Sequence, residues 1–484
     1  MSNKPNILLI LTDQLRKDTL GCYGNERVNT PNIDFIAKDG IKFNRCYVAN
    51  QICMPNRMSI FTGMYPRNHG LWTNGLLLPE EKPTLTSIFK ENNYNTASIG
   101  KIHFNPYGAE AESGSMESRS YWKNLGDDFN WNGPYWNFDH VELTIGHTSP
   151  VAHYGKWFRD NGGTEEMLEQ RENGVRNLPP ELHDSTFVAE RTINYIKNNK
   201  EEPFFLVSSF PDPHHPFNPP KECTELYSLE DAHTPIGSYE DLNTRPSHYL
   251  KHFKGGWHRK GKIKEQHPDG ISSEKEKTRI INTYAMVDLI DDNIGKIINT
   301  LKEENLFEDT IIIFTSDHGE LLGDHGLWYK GPFYYEGLIN IPLLINFPDS
   351  CQIQETDSLI SSIDILPTIC EYLGFTIPEW VDGVSHVNHL FNKSQKIRDN
   401  CLIEYRNGYG KNDCASMALI TENYKYIRYQ TGEKEFTDLE KDPFEKENMA
   451  YKKEYKNLVD KMNYKLTDAI LSTQIKWPEQ ISHA

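Results

Sequence analysis

Acids, imidazoles and cations fall in short clusters along this chain: Asp13 with Gln14, Lys101 with His103, Asp212 with His214 and His215, Asp317 with His318, and Lys330 alone. A cysteine and an arginine share "CMPNR", at Cys53 and Arg57. Asp13, Gln14, Asp317 and His318 offer oxygens and one imidazole, a donor set that suits a hard divalent cation. Singly, each aspartate would serve as well to cap the turn that follows it; their joint placement is what points to a metal. Lys101, Lys330, Arg57 and the histidines form a candidate clamp for a tetrahedral oxyanion, neutralising the charge that grows on it during transfer. The histidines add proton transfer near neutral pH.

Cys53 stands two residues before Pro55, which suits a first helical turn, so its thiol would lie near helix amides that favour an anion. A cysteine phosphatase, however, cradles phosphate with a longer loop between cysteine and arginine than the spacing from Cys53 to Arg57. The other cysteines (Cys22, Cys46, Cys223, Cys351, Cys370, Cys401 and Cys414) show neither CxxC pairs nor zinc spacing. They read as small buried hydrophobes in a reducing compartment, which makes a cytoplasmic location the expectation.

The clusters follow apolar, β-branched runs: "NILLILT" before Asp13, "TASIG" before Lys101, "FFLVSSF" before Asp212 and "TIIIFTS" before Asp317. Such runs, alternating with helical stretches such as "TLTSIFKENN" and "YAMVDLIDDNIGKIINTLKEE", predict an α/β fold whose mainly parallel sheet is covered on both faces. Ligands bind beyond the carboxyl ends of strands in these sheets, so the clusters are placed to meet in one site. Residues 1–375 form the expected catalytic domain. Within it, about 106–178 is rich in Gly, Asn, Trp and Tyr and reads as a long insertion over the sheet edge. Residues 376–484 predict a smaller α+β unit with antiparallel strands and a helix.

Composition narrows the partners. Among 484 residues, 69 acidic side chains outnumber 51 basic ones, giving a net charge of −18, which argues against nucleic acid and anionic membrane as partners. No apolar run is long enough to span a bilayer. The opening "MSNKPNILLILTDQ" ends its short apolar run directly in Asp13, with no small-residue cleavage site, and reads as a buried strand rather than a signal peptide.

"CMPNR" resembles the C-x-P-x-R signature of type I sulfatases in the alkaline phosphatase superfamily. "IFTGMYPRNHG", "SIGKIHFN", "PDPHHPF", "FTSDHGELLGDHGLWYKG" and "ENYKYIRYQTGEKEFTDLEKDPFEKEN" are similar to further blocks of that family in the same order, covering the chain nearly end to end. The resemblance implies an alkaline-phosphatase-like core and hydrolysis of a sulfate monoester, on a small sulfated substrate. Cys53 would be oxidised after translation to formylglycine by a formylglycine-generating or radical sulfatase-maturating enzyme, and the hydrated aldehyde would attack sulfur. Asp13, Gln14, Asp317 and His318 would hold the divalent cation, calcium being the expected ion and magnesium or manganese the alternatives. Arg57 and Lys101 would steady the nucleophile, His103 would take its second proton, His214 would assist the leaving group with His215 as a possible substitute, and Lys330 would bind the sulfate.

Two positions depart from the common pattern. Many sulfatases carry aspartate where this chain has Gln14 and asparagine where it has His318, and similar DQ and DH pairs occur in related phosphonate monoester and choline-ester hydrolases. A phosphonate or phosphate ester hydrolase is therefore the alternative within the fold, with "GKIH" favouring the sulfatase. A metal-dependent binder of sulfated ligands without turnover is the alternative if Cys53 stays unmodified. Aromatic rings in the insertion, Trp131 and Trp136 foremost, could stack on sugar rings, making a sulfated carbohydrate the first expected substrate; otherwise they form a satellite core.

Overall fold

The computed structural model describes residues 4–473 except 148, 170–174, 254–273, 350, 393–396 and 408–413. The apolar runs become central strands. β1 (Asn6–Thr12), β2 (Ile41–Tyr47), β3 (Asn95–Gly100), β4 (His140–Leu143), β5 (Phe204–Phe210), β6 (Thr310–Ser316), β7 (Asn340–Asn346) and the short β8 (Glu355–Thr356) and β9 (Ile360–Ser361) build one nine-stranded sheet. Its order is β4-β3-β5-β1-β6-β7-β2-β8, with β9 also on β2. β4, β3, β5, β1 and β6 run parallel, whereas β7 is antiparallel to both β6 and β2.

Why these strands read as unbroken apolar runs is plain from the two cores they divide. Ile7, Leu9 and Leu11 face one core while Leu8 and Ile10 face the other, so the period-two alternation of β1 puts an apolar residue on both faces. Helices Pro31–Asp39, Asp184–Asn198 and Glu274–Glu303 close one side, contributing Ile33, Phe187 and Ile290. Helices Cys53–Thr62, Leu85–Glu91 and Ile365–Tyr372 close the other, contributing Met58, Phe89 and Ile369.

The smaller C-terminal sheet is antiparallel, ordered β10 (Cys401–Asn407), β11 (Cys414–Ile420), β12 (Tyr424–Tyr429), β13 (Lys434–Asp438). Its inner face (Ile403, Ala418, Ile427) joins the first core; on the outer face Leu402, Leu419 and Tyr426 pack under Val459, Met462 and Leu466 of helix Lys456–Ser472. The segment 106–178 carries the edge strand β4 and helices Arg119–Leu125 and Ala152–Asp160. Among the described residues no helix is long and apolar enough to cross a membrane.

Candidate active site

Strand register brings the clusters together. Thr12 of β1 lies beside Phe210 of β5 and Ser316 of β6, and Gly100 of β3 lies beside Ser209, so four adjacent strands end at one level. Asp13 and Gln14, Lys101 and His103, His214 and His215, and Asp317 and His318 all follow these ends directly. Helix Cys53–Thr62 enters from the side with Cys53 in its first turn.

Arg57, fully buried, ties the two aspartates to this helix: its Nε donates to Asp317 Oδ2 at 2.7 Å and its Nη2 to Asp13 Oδ2 at 3.2 Å, while Nη1 donates to the Lys101 carbonyl at 2.7 Å and Ser209 Oγ at 3.0 Å. Lys101 Nζ pairs with the same Asp13 oxygen. The outer oxygens are thus occupied, and the inner ones face a common point. Asp13 Oδ1 lies 3.9 Å from His318 Nε2 and 3.9 Å from Cys53 Sγ, and Asp317 Oδ1 lies 3.7 Å from His318 Nε2. His318 Nδ1 donates to the Gly319 carbonyl at 2.7 Å, which fixes the tautomer and leaves the Nε2 lone pair for a metal. Two carboxylates and one imidazole, with the Gln14 amide oxygen alongside, suit a divalent cation.

Lys330 closes the site. Its ammonium lies 2.8 Å from Cys53 Sγ, 2.9 Å from Gln14 Oε1 and 3.1 Å from His318 Nε2. Burial and Asp13 oppose ionisation of the Cys53 thiol, but Lys330 and His318 outweigh them and hold it below the ordinary thiol range. Burial likewise opposes the charge on Asp13, yet Lys101, Arg57 and Lys330 hold its carboxyl well below the usual range. For His103, burial and then Lys101 push the imidazole well down, so it stands neutral.

Several participants escaped the sequence reading. Glu117 accepts from the backbone N–H groups of His103, Phe104 (2.9 Å) and Asn105 (2.9 Å), which holds His103 at a φ of 59° that a non-glycine residue rarely adopts. Glu320 receives the Gln14 amide, and it lies in the same "SDHGEL" run as the predicted ligands. His147 Nε2 lies 3.1 Å from Lys101 Nζ, and its ring stacks on His214 at 3.8 Å, with His215 stacked behind His214 at 4.0 Å. His147 also follows a strand end, but β4 is only four residues long and too short to announce itself.

Of the two tryptophans, Trp136 is corrected. Trp136 is 1% exposed and meets Phe104 edge-on at 5.4 Å, so it belongs to the core and presents no face to a sugar. Trp131 is half-buried among Trp122, Tyr135 and His153 and borders a different cleft with His140, Glu142 and Arg191, away from Cys53.

The profile described as Sulfatase matches residues 5–375, and that of the N-sulphoglucosamine sulphohydrolase C-terminal region matches residues 323–472. An arylsulfatase of Clostridium perfringens is 30% identical, over 94% of this chain and 92% of its own. The chain belongs to the sulfatase family. It is a sulfuric ester hydrolase. An N-acetylglucosamine-6-O-sulfatase of Bacteroides thetaiotaomicron is 24% identical over 94% of this chain and 84% of its own. The phosphonate monoester hydrolase of Agrobacterium radiobacter, 23% identical, shares the fold over 99% of this chain and 98% of its own, with a TM-score of 0.81.

Proposed function

We propose that this sulfatase releases sulfate from a sulfated carbohydrate, and from simple aryl sulfates, with Cys53 carried as formylglycine. The observation that supports this most directly is convergence: two aspartates, two lysines, an arginine and an imidazole surround one buried sulfur at a helix start. The N-acetylglucosamine-6-O-sulfatase among its relatives supports the carbohydrate.

Asp13, Gln14, Asp317 and His318 would hold the cation, calcium by preference, which when bound supplies positive charge beside the nucleophile and the sulfate oxygens. Arg57 fixes the two aspartates and the helix that bears position 53. Lys101 steadies the nucleophile at position 53, and Lys330 binds the sulfate oxygens, with charge placed where it develops. His103, neutral and fixed by Glu117, accepts the proton from the hydrated aldehyde of residue 53. His214, whose Nδ1 donates to the His215 carbonyl at 2.5 Å, presents Nε2 towards the site for the leaving oxygen. His215 bonds Gln14 Nε2 at 3.2 Å and would orient that ligand.

Conversion of Cys53 requires a separate maturating enzyme, either formylglycine-generating or radical. The eight free cysteines support a reducing, cytoplasmic compartment.

The neutral ligands Gln14 and His318 favour a second reading as a phosphonate ester hydrolase, against which stand Lys101 and His103. A screen of sulfated mono- and disaccharides, aryl sulfates and phosphonate monoesters on one preparation decides. Preference for a sulfated sugar is expected, and preference for phosphonates over every sulfate ester would overturn the proposal.

A further inference from the structure

Among the described residues, the outer face of the C-terminal sheet is only partly covered. Leu402, Leu419, Tyr426 and Phe436 lie under helix Lys456–Ser472; beyond them Met417 still packs against this cluster and Glu404 is buried, whereas Arg406 and Arg428 are exposed. Cross-strand register places Glu404, Met417 and Arg428 in one row of that face and Arg406, Ala415 and Gln430 in the next. Together with Trp72, Arg67 and the helix residues Leu466 and Ile470 these residues line an open groove of about 790 Å³, a size typical of ligand sites.

Its charge runs against that of the molecule. Glu404 is neutralised by Arg67, whose backbone N–H donates to it at 3.0 Å and whose guanidinium pairs with its other oxygen. Arg406 and Arg428 are exposed, and among the described residues neither forms an ion pair with a carboxylate. The Arg406 guanidinium lies 4.8 Å over the Trp72 ring, which orders it and leaves its N–H edge for an anion. Arg406 and Arg428 stand on strands two spacings apart, roughly 10 Å across the sheet, so they address two separate negative groups rather than one. The loop of Trp72 also carries Asn74, whose side chain accepts from the N–H of Met54, next to the nucleophile.

We propose that this groove is an exosite for an anionic glycan, binding sulfate or carboxylate groups on sugar units beyond the one whose ester is cleaved. Trp72, with Met417, Leu466 and Ile470, supplies the apolar surface on which sugar rings pack, and Arg406 and Arg428 take the acidic substituents. The assignment rests on the sulfated-carbohydrate reading above, and adds that the polymer is recognised away from the reacting bond.

Three variants test it: Arg406→Ala, Arg428→Ala and Trp72→Ala, each checked for unchanged thermal unfolding. With active enzyme, KM for a highly sulfated polysaccharide should rise roughly tenfold for each lost arginine, the scale of a charge-assisted contact, while kcat/KM for an aryl sulfate stays put. Unchanged KM on the polymer would overturn the exosite. Calorimetric titration of a sulfated octasaccharide into Cys53→Ala protein measures the groove without turnover, so the exosite can fail while the activity stands, or the reverse. Binding weakened by the arginine variants supports the proposal; equal binding of the desulfated octasaccharide, or of polyglutamate, would refute the anionic-glycan assignment.

Discussion

The Lys330 ammonium lies 2.8 Å from Cys53 Sγ. A cation held so close to one sulfur, with His318 Nε2 at 3.1 Å on another side, makes position 53 the centre of the site rather than a buried structural cysteine. In active protein, peptide mass spectrometry should find CH2SH of Cys53 replaced by CHO, in proportion to specific activity across preparations with different degrees of maturation. Full activity in protein carrying only the thiol would defeat the nucleophile assignment. Lys330→Ala should leave the conversion intact and raise KM for every sulfate ester.

The cation should be removable and replaceable. Dialysis against a chelator is expected to abolish turnover, with calcium restoring it best and magnesium or manganese in part. Asp317→Asn should bind metal at least tenfold more weakly, since it takes one of two anionic ligands from the set. Elemental analysis of purified protein measures the ion directly. Undiminished turnover in protein shown to be free of divalent metal would remove Asp13, Gln14, Asp317 and His318 from the role given them.

Strand ends were legible because burial on both faces leaves an unmistakable apolar run, and the first polar residue after each run is where chemistry can sit. That is why Asp13, Lys101, His214 and Asp317 could be grouped before any geometry was known. The direction of β7 was not legible: "NIPLLIN" is as apolar as "TIIIFTS", yet it pairs antiparallel with β6, because burial dictates side-chain character and says nothing of chain direction. Trp136 misled for a related reason. Gly- and Asn-rich sequence around it suggests an open loop, but Trp136 is buried with the Phe104 ring edge-on against it. Glu117 and His147 carry no local signal, since their partners lie 14 and 46 residues away in sequence.

His103 is expected to govern turnover more than binding. In His103→Ala, kcat should fall by roughly 10²- to 10⁴-fold, the scale of a general acid–base group, while the first equivalent of alcohol is still released in a pre-steady-state burst. Glu117→Gln keeps the side-chain shape but puts an amide NH2 where one of two oxygens accepts backbone N–H groups, and should lower kcat by a smaller factor with little change in KM. Loss of the burst together with turnover would place His103 in the first chemical step instead.

Asp364 anchors the loop that leads into helix Ile365–Tyr372. Its oxygens accept from Arg398 Nε and Nη2 at 2.5 Å each and from the N–H groups of Ser361 and Val384 at 2.9 and 2.8 Å. Burial opposes its charge, but Arg398 and His386 prevail and hold the carboxyl well below its ordinary value of 3.8. A carboxyl depressed on folding contributes stability that is complete above the unfolded value and is lost as pH falls through the folded one. Urea midpoints should therefore show Asp364→Asn destabilised near neutral pH, and the gap to wild type should narrow as the pH drops below about 4. Arg398→Ala strands a buried carboxylate and should cost about 3–5 kcal/mol near neutrality, with part of that cost recovered in acid as Asp364 takes up a proton. A gap between wild type and Asp364→Asn that widens on acidification would reverse the sign and assign the acid sensitivity of this region to other groups.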